Sequence, residues 1–292
     1  MGEIVVENVT KDFGDTRALN NIILSIKPNK IHGLLGREGA GKSTLLNLIT
    51  ARVRPTRGEI RVNGKNVWEN PQALSQIYYM SEQALLPANR RVTQLFNWTG
   101  YFYPKFDLTY AEELANKFGL ELKKSYGELS ASYKTICKIV LALASHAPIM
   151  ILDEPILDLD DGQRSLLYAE IRDNYARRPK TIIISTHLIE EVSELIEEVI
   201  IINYGEIVIR KSIEYLLEQA YTVSGPKTEV EKYLVGKKYI QEEITGESKS
   251  VTVLGEYENQ KEHGDSKLNF SRAEIKKLVN GLTEGVDDWV EY

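Results

Sequence analysis

The sequence predicts an α/β fold in which an antiparallel β layer and a parallel core sheet with flanking helices carry a helical insertion, followed by a small C-terminal α+β domain. Three observations predict it. A short apolar run, a glycine-rich turn and an amphipathic helix follow one another from Gly33. Two buried-type runs, PIMILD and TIIIST, flank the helical stretch QRSLLYAEIRDNYA, the alternation that parallel sheets require. The first 65 residues instead read as short β-branched stretches bounded by Asn-Gly, Lys-Pro and Gly-Glu pairs, which suits antiparallel pairing.

In order along the chain, EIVVENVT, ALNNIILSIKP, KIHGLL and GEIRVNGKNV are the expected early strands, and STLLNLITARV the helix after the glycine turn. Residues 84–147 read as mainly helical, with the aromatic-rich TQLFNWTGYFYPKFD and the amphipathic AEELANKFGLEL. VIIINYGEIVIR and a short helix over 213–220 complete a first domain, 1–220. Residues 221–292 then read as strand, helix, strand, strand, helix, with a loop over the polar stretch from Asn259 to Lys267.

The 292 residues are 42% apolar and 27% charged with a single cysteine, which excludes a disordered or disulfide-stapled chain. Net charge is −6, and the excess of acid lies mostly in the tail, where ten basic residues meet fourteen acidic ones. That balance argues against a nucleic-acid partner. The longest apolar runs, ICKIVLALA from Ile136 and EVIIIN from Glu198, fall short of the ~18 residues a membrane-spanning helix needs. No basic stretch followed by an apolar block opens the chain, so the expected location is the cytosol, and the lone Cys137 reads as a buried small hydrophobe.

Gly36-Arg37-Glu38-Gly39-Ala40-Gly41-Lys42-Ser43-Thr44 fits GxxxxGK[ST], the phosphate-binding P-loop pattern, in its required strand-loop-helix setting. Glycines let successive backbone N–H groups converge on phosphates, and the helix beginning near Lys42 turns its positive end toward them. Lys42 is expected to reach the β- and γ-phosphates, and the Ser43 hydroxyl to ligate Mg²⁺. Glu38 places a carboxylate in this loop and is expected to point outward. The run Ile149 to Leu152 delivers Asp153 and Glu154 at a strand end, where Asp153 would hold Mg²⁺ through water and Glu154 would orient and deprotonate the attacking water.

With these motifs in place, the chain resembles the ATP-binding subunits of ABC transporters over residues 1 to about 220. The resemblance implies a P-loop NTPase fold of ABC ATPase type with a helical signature subdomain. Leu129-Ser130-Ala131-Ser132-Tyr133 stands where that family has LSGGQ, and the 23 residues from Ser130 to Asp153 match its spacing. Thr186-His187 matches the H-loop, with His187 expected at the γ-phosphate, and Leu159-Asp160 the D-loop. Tyr79-Met80-Ser81-Glu82 resembles the Q-loop segment, leaving Glu82 or Gln83 for the glutamine's role. Phe13, 29 residues before Lys42, either stacks on adenine or belongs to the β-layer core. Phe96, Trp98, Tyr101, Phe102, Tyr103 and Phe106 read as subdomain core, part of which would meet a permease helix.

The resemblance implies ATP and Mg²⁺ as ligands, a transmembrane permease and a second ATPase subunit as partners, and a place at the inner face of the cell membrane. ATP would be bound between Lys42 of one subunit and the Ser130–Ser132 signature segment of the other, in a homodimer or a heterodimer. Local phrases, FYPKFD, KFGLELKK and EEVIIINYGEIV, are similar to ATPases of small exporters encoded beside GntR-type regulators, including the phenol-soluble-modulin exporter group. A soluble ABC-type ATPase uncoupled from transport is the alternative. Two departures stand out: Ala131 and Ser132 replace both signature glycines, and Ile156-Leu157-Asp158 replaces the usual small polar run before the D-loop. A Cβ at 132 is expected to narrow the approach of a phosphate. The tail, lacking a phosphate loop or metal cluster, reads as a regulatory or dimer-stabilising module or as a passive appendage.

Overall fold

At the start of β1 (Ile4–Phe13), Ile4 and Val6 are buried and Val5 and Glu7 half-buried, because one face of the strand lies on a core, and the period breaks at a register shift in mid-strand, where Val9 and Thr10 are both buried. The strand pairs antiparallel with β2 (Thr16–Ile26) and β4 (Arg57–Val62), and β5 (Lys65–Asn66) closes a hairpin on β4. Asn63 and Gly64 take positive φ in that turn, which Asn and Gly tolerate best. The computed structural model describes residues 2–82, 86–188, 192–256 and 267–283.

The central sheet has the order β10-β9-β3-β8-β7-β6. Strands β3 (Ile31–Leu35), β7 (Ile149–Asp153) and β8 (Thr181–Thr186) are buried along their whole length, as parallel strands covered on both faces must be. The sheet also contains β6 (Ile77–Met80), a parallel edge strand that the sequence presented only as a loop motif. The hairpin β9 (Glu198–Asn203) and β10 (Glu206–Ser212) turns at Tyr204-Gly205. On one face lies α1 (Lys42–Ile49), whose Leu45, Leu46, Leu48 and Ile49 fill the space between the central sheet and the antiparallel layer.

The other face holds the helical insertion: α3 (Val92–Phe102), α4 (Leu108–Phe118) and α5 (Ala131–Ala144), with α6 (Asp161–Arg177) after β7. A four-residue α2 (Pro71–Leu74) precedes β6. In α5 every residue from Thr135 to Ala144 is buried, the signature of a helix inside a core. Cys137 is among them, and burial pushes its thiol up to about 12, so it behaves as a small hydrophobe at neutral pH.

After α7 (Ile213–Glu218) comes an antiparallel sheet of order β12-β13-β11-β14, built from β11 (Ala220–Pro226), β12 (Tyr239–Thr245), β13 (Ser248–Leu254) and β14 (Asn269–Arg272). Helix α8 (Lys227–Tyr233) links β11 to β12. β14 is a fourth strand, lying beyond the loop expected up to Lys267 and overlapping the start of the expected last helix. Four residues are too few to show a period, and it is their pairing with β11 that makes them a strand. The loop expected from Asn259 falls largely outside the described residues.

Helix α9 (Ile275–Thr283) ties this region to the central sheet. Its Ile275 and Leu278, with Ala273, lie in the same apolar cluster as Val199, Ile209 and Leu216. The tail therefore shares a core with β9 and α7. Leu278→Ala is expected to cost about 2–5 kcal/mol, the usual range for a buried Leu truncation. This would be read as a lower urea midpoint at constant m-value, and an unchanged midpoint would refute the shared core.

Candidate nucleotide site

Three parallel strands end at one edge: Leu35 pairs with Thr186, and Asp153 with Ser185. Gly36, Glu154 and His187, each the next residue of the chain, therefore leave the sheet side by side, at the strand carboxyl ends where open α/β sheets bind ligands. A Cβ at Gly36 would lie 2.3 Å from the Ile202 carbonyl oxygen, so only glycine lets the loop pass β9. Gly41 has φ +110 and caps α1, and a Cβ there would meet Leu19 at 2.8 Å. Gly39, also at positive φ, faces open space.

Ala40 is buried, its carbonyl accepting from Gly205 N–H at 2.9 Å and its N–H donating to the Arg37 carbonyl at 3.2 Å. No side chain caps the start of α1 and its first turn holds no acid, so its free N–H groups and dipole end are uncompensated. Ser43 is exposed and Thr44 half-buried at that end, while Glu38 is exposed on the loop. Lys42 is buried, and its ammonium donates to the carbonyls of Gly36 (2.7 Å) and Arg37 (3.0 Å). Burial lowers its pKa against the pull of Glu154, Asp153 and Glu38.

Facing the loop, Asp153 is buried; Oδ2 accepts from the Tyr79 hydroxyl at 3.1 Å, and Oδ1 has no hydrogen-bond partner among the described residues. Burial raises its pKa. Arg52 lies over the Tyr79 ring at 4.6 Å. Glu154 sits at φ +48 with its N–H on the Ser185 carbonyl. Its Oε2 accepts from the Thr186 hydroxyl (3.0 Å) and its Oε1 from His187 Nδ1 (3.0 Å). Since a carboxylate only accepts, Nδ1 carries the proton and Nε2 is left for another partner. The expected acid and H-loop histidine thus touch directly.

The signature segment makes contacts within its own chain. Ser130 is the N-cap of α5, accepting from Tyr133 N–H at 3.3 Å. Ser132 turns its hydroxyl to Gln163 Oε1 at 2.6 Å, so the side chain at 132 is engaged within its own chain. Asp160 caps α6 in a reciprocal capping box with Gln163. Glu82 is exposed, while its carbonyl accepts from the buried ammonium of Lys138 (2.9 Å); Gln83 lies outside the described residues. Phe13 is 50% exposed at the β1–β2 turn, with Lys11 over its ring at 4.6 Å, which excludes the core alternative. Of the aromatic cluster Phe96 is fully buried, and Tyr103 and Phe106 are half-buried. Trp98, Tyr101 and Phe102 are exposed at helical spacing on α3.

Tyr79, Thr186, Lys138 and Gln163 are the residues sequence reasoning missed. Thr186 and Tyr79 did carry a faint signal, each standing on a strand within the named motifs. Lys138 interrupts an otherwise apolar helix face, a buried charge by pattern. Gln163 carried none beyond its capping-box spacing from Asp160.

A phosphate loop at a helix start, a buried lysine and two carboxylates at a strand end define a P-loop nucleoside triphosphatase. The sequence profile of the ABC transporter family matches residues 19–157. The ABC transporter ATP-binding protein YtrB of Bacillus subtilis is 31% identical over 258 residues, covering 78% of this chain and 88% of that protein. The ribose import ATP-binding protein RbsA of Oceanobacillus iheyensis is 30% identical over 216 residues, covering 70% of this chain and 43% of RbsA. A solved ATP-binding subunit of an ABC transporter superposes with TM-score 0.67 at 22% identity, over 74% of this chain and 92% of that one, a likeness of fold. The chain belongs to the ATP-binding proteins of ABC transporters. It is an ATP-binding, ATP-hydrolysing motor subunit.

Proposed function

We propose that this subunit drives export of peptides or other amphipathic compounds through a separate transmembrane permease, at the cytoplasmic face of the membrane and paired with a second ATPase subunit. The observation that carries the reading is the convergence of the Gly36–Lys42 loop, Asp153, Glu154 and His187 on one sheet edge. ATP phosphates would lie on the loop N–H groups and Lys42, with Phe13 against the adenine, Ser130 of the facing subunit at the γ-phosphate, and Asp160 at the dimer junction. Asp153 Oδ1, buried and without a hydrogen-bond partner among the described residues, is an acceptor that a hydrated cation satisfies, so Asp153 and Ser43 fit Mg²⁺, with Glu82 or Gln83 beside them. A magnesium ion held by Asp153 and Ser43 would supply positive charge to offset the negative charge of the phosphates.

Among the described residues no helix is long and apolar enough to cross a membrane. The exposed Trp98, Tyr101 and Phe102 offer an apolar face to a permease helix. Export as the direction rests on the small-exporter phrases named above; the ribose import relative favours import as a second reading. Copurification from membranes, with sequencing of the partner and transport by the reconstituted pair, tests both. Residues 221–292 would act as a regulatory or dimer-stabilising module.

Because the signature lacks both glycines, a homodimer would carry that departure at both sites. A heterodimer would let a regular signature from the partner complete the site containing Lys42 and Glu154. The purified protein alone is therefore expected to hydrolyse ATP slowly, and a co-encoded ATPase subunit to raise the rate. Full activity alone, unchanged by the second subunit, would refute the asymmetric pairing.

A further inference from the structure

Two departures in the sequence meet in space. Ser132, in place of a signature glycine, donates to Gln163, and one turn on, the Thr135 hydroxyl donates to Oδ2 of Asp158, itself part of the unusual run before the D-loop. One turn further, Lys138 donates to the carbonyls of Glu82 (2.9 Å) and Ser81 (3.4 Å). Residues 132, 135 and 138 thus present a line of donors along α5 to three separate segments.

Thr135 and Lys138 are buried in a helix that is otherwise apolar there. Apolar side chains would fill these positions at no desolvation cost, so the polar ones act through what they hold in register. What they hold adjoins the nucleotide edge. Asp158 follows Glu154 by four residues, Gln163 closes the capping box of Asp160, and Ser81 and Glu82 continue the strand from which Tyr79 holds Asp153.

We propose that Ser132, Thr135 and Lys138 are positioning residues, a polar seam that fastens the signature end of α5 to the loop after Glu154 and to the strand end after β6, so that the three segments move as one body during ATP turnover. The part concerning turnover rests on the ATPase reading; the seam itself does not. The departures at 132 and 158 then belong together: a signature without glycine flexibility is held by its own chain's D-loop region.

Hydrogen exchange of the full chain without nucleotide tests the seam. In Ser132→Ala/Thr135→Val, exchange over 131–138 and over 156–165 is expected to quicken together by about tenfold, the worth of a buried hydrogen bond or two. Amides of β7 and β8 should stay within about twofold, a control against general loosening. Ser132→Ala/Thr135→Ser, which restores one hydroxyl, should recover most of the protection. Unchanged exchange over 156–165, or an equal rise in β7 and β8, overturns the seam. In the assembly that hydrolyses ATP, the double variant should lower kcat about tenfold with KM within about twofold. Faster exchange with unchanged kcat overturns the role in turnover, whereas a wild-type chain inactive in every assembly would fail the ATPase reading and leave the exchange result standing.

Discussion

Glu154→Gln is expected to keep ATP binding within a few-fold of wild type and to lower steady-state turnover by about 10²–10⁴, the usual contribution of a positioned general base. The geometry explains why the loss would be one of chemistry. Glu154 leaves the sheet edge at φ +48, a conformation that is costly outside glycine, and is held there by the Ser185 carbonyl on its N–H. Thr186 and His187 bond one carboxylate oxygen each. An amide of the same shape still accepts from the Thr186 hydroxyl through its oxygen, so the loop keeps its form. The amide nitrogen faces His187 as a donor, which the imidazole accommodates by moving its proton from Nδ1 to Nε2, and it cannot take a proton from water. Equilibrium ATP binding and phosphate release, measured on the same preparation, check the split. Robust steady-state hydrolysis by Glu154→Gln would refute the assignment of the base.

What could be read from the sequence was what neighbours along the chain determine. The P-loop is nine consecutive residues, so its spacing alone reveals it, although the collisions that Gly36 and Gly41 avoid, with Ile202 and Leu19, are tertiary. Strand β7 carries its burial in its composition, and Asp153 and Glu154 follow from where it ends. Less legible were elements created by tertiary pairing. Strands β6 and β14 hold four residues each, fewer than a period needs, and exist because β7 and β11 supply their hydrogen bonds. The orientation of Ser132 was invisible for the same reason. A Cβ in place of a glycine predicts a narrower approach, but the hydroxyl's acceptor is 31 residues away on α6. A change of pattern suggested a boundary near Ala220, but no pattern showed the seat of Ile275 and Leu278 against β9 and α7.

Lys42→Ala is the substitution expected to remove nucleotide binding itself. The lysine is buried between the loop and the carboxylates, where desolvation opposes its charge and Glu154, Asp153 and Glu38 favour it. Its ammonium donates to two loop carbonyls, those of Gly36 and Arg37. Binding a triphosphate exchanges those neutral acceptors for anionic ones, which adds the attraction of two opposite charges to the hydrogen bonds. Alanine forfeits that gain, leaves the Gly36 carbonyl short of a donor, and removes the cation that offsets Asp153 and Glu154 when a further anion arrives. At about 1.5–3 kcal/mol for each charged hydrogen bond lost, two such bonds to phosphate correspond to a fall in ATP affinity of at least about 100-fold. Lys42→Arg should not rescue it, because a planar fork replaces a compact ammonium in a buried slot. Titration calorimetry with ATP on wild type, Lys42→Ala and Glu154→Gln separates the two roles. Near-native affinity in Lys42→Ala would mean that the loop N–H groups and the end of α1 bind the phosphates unaided.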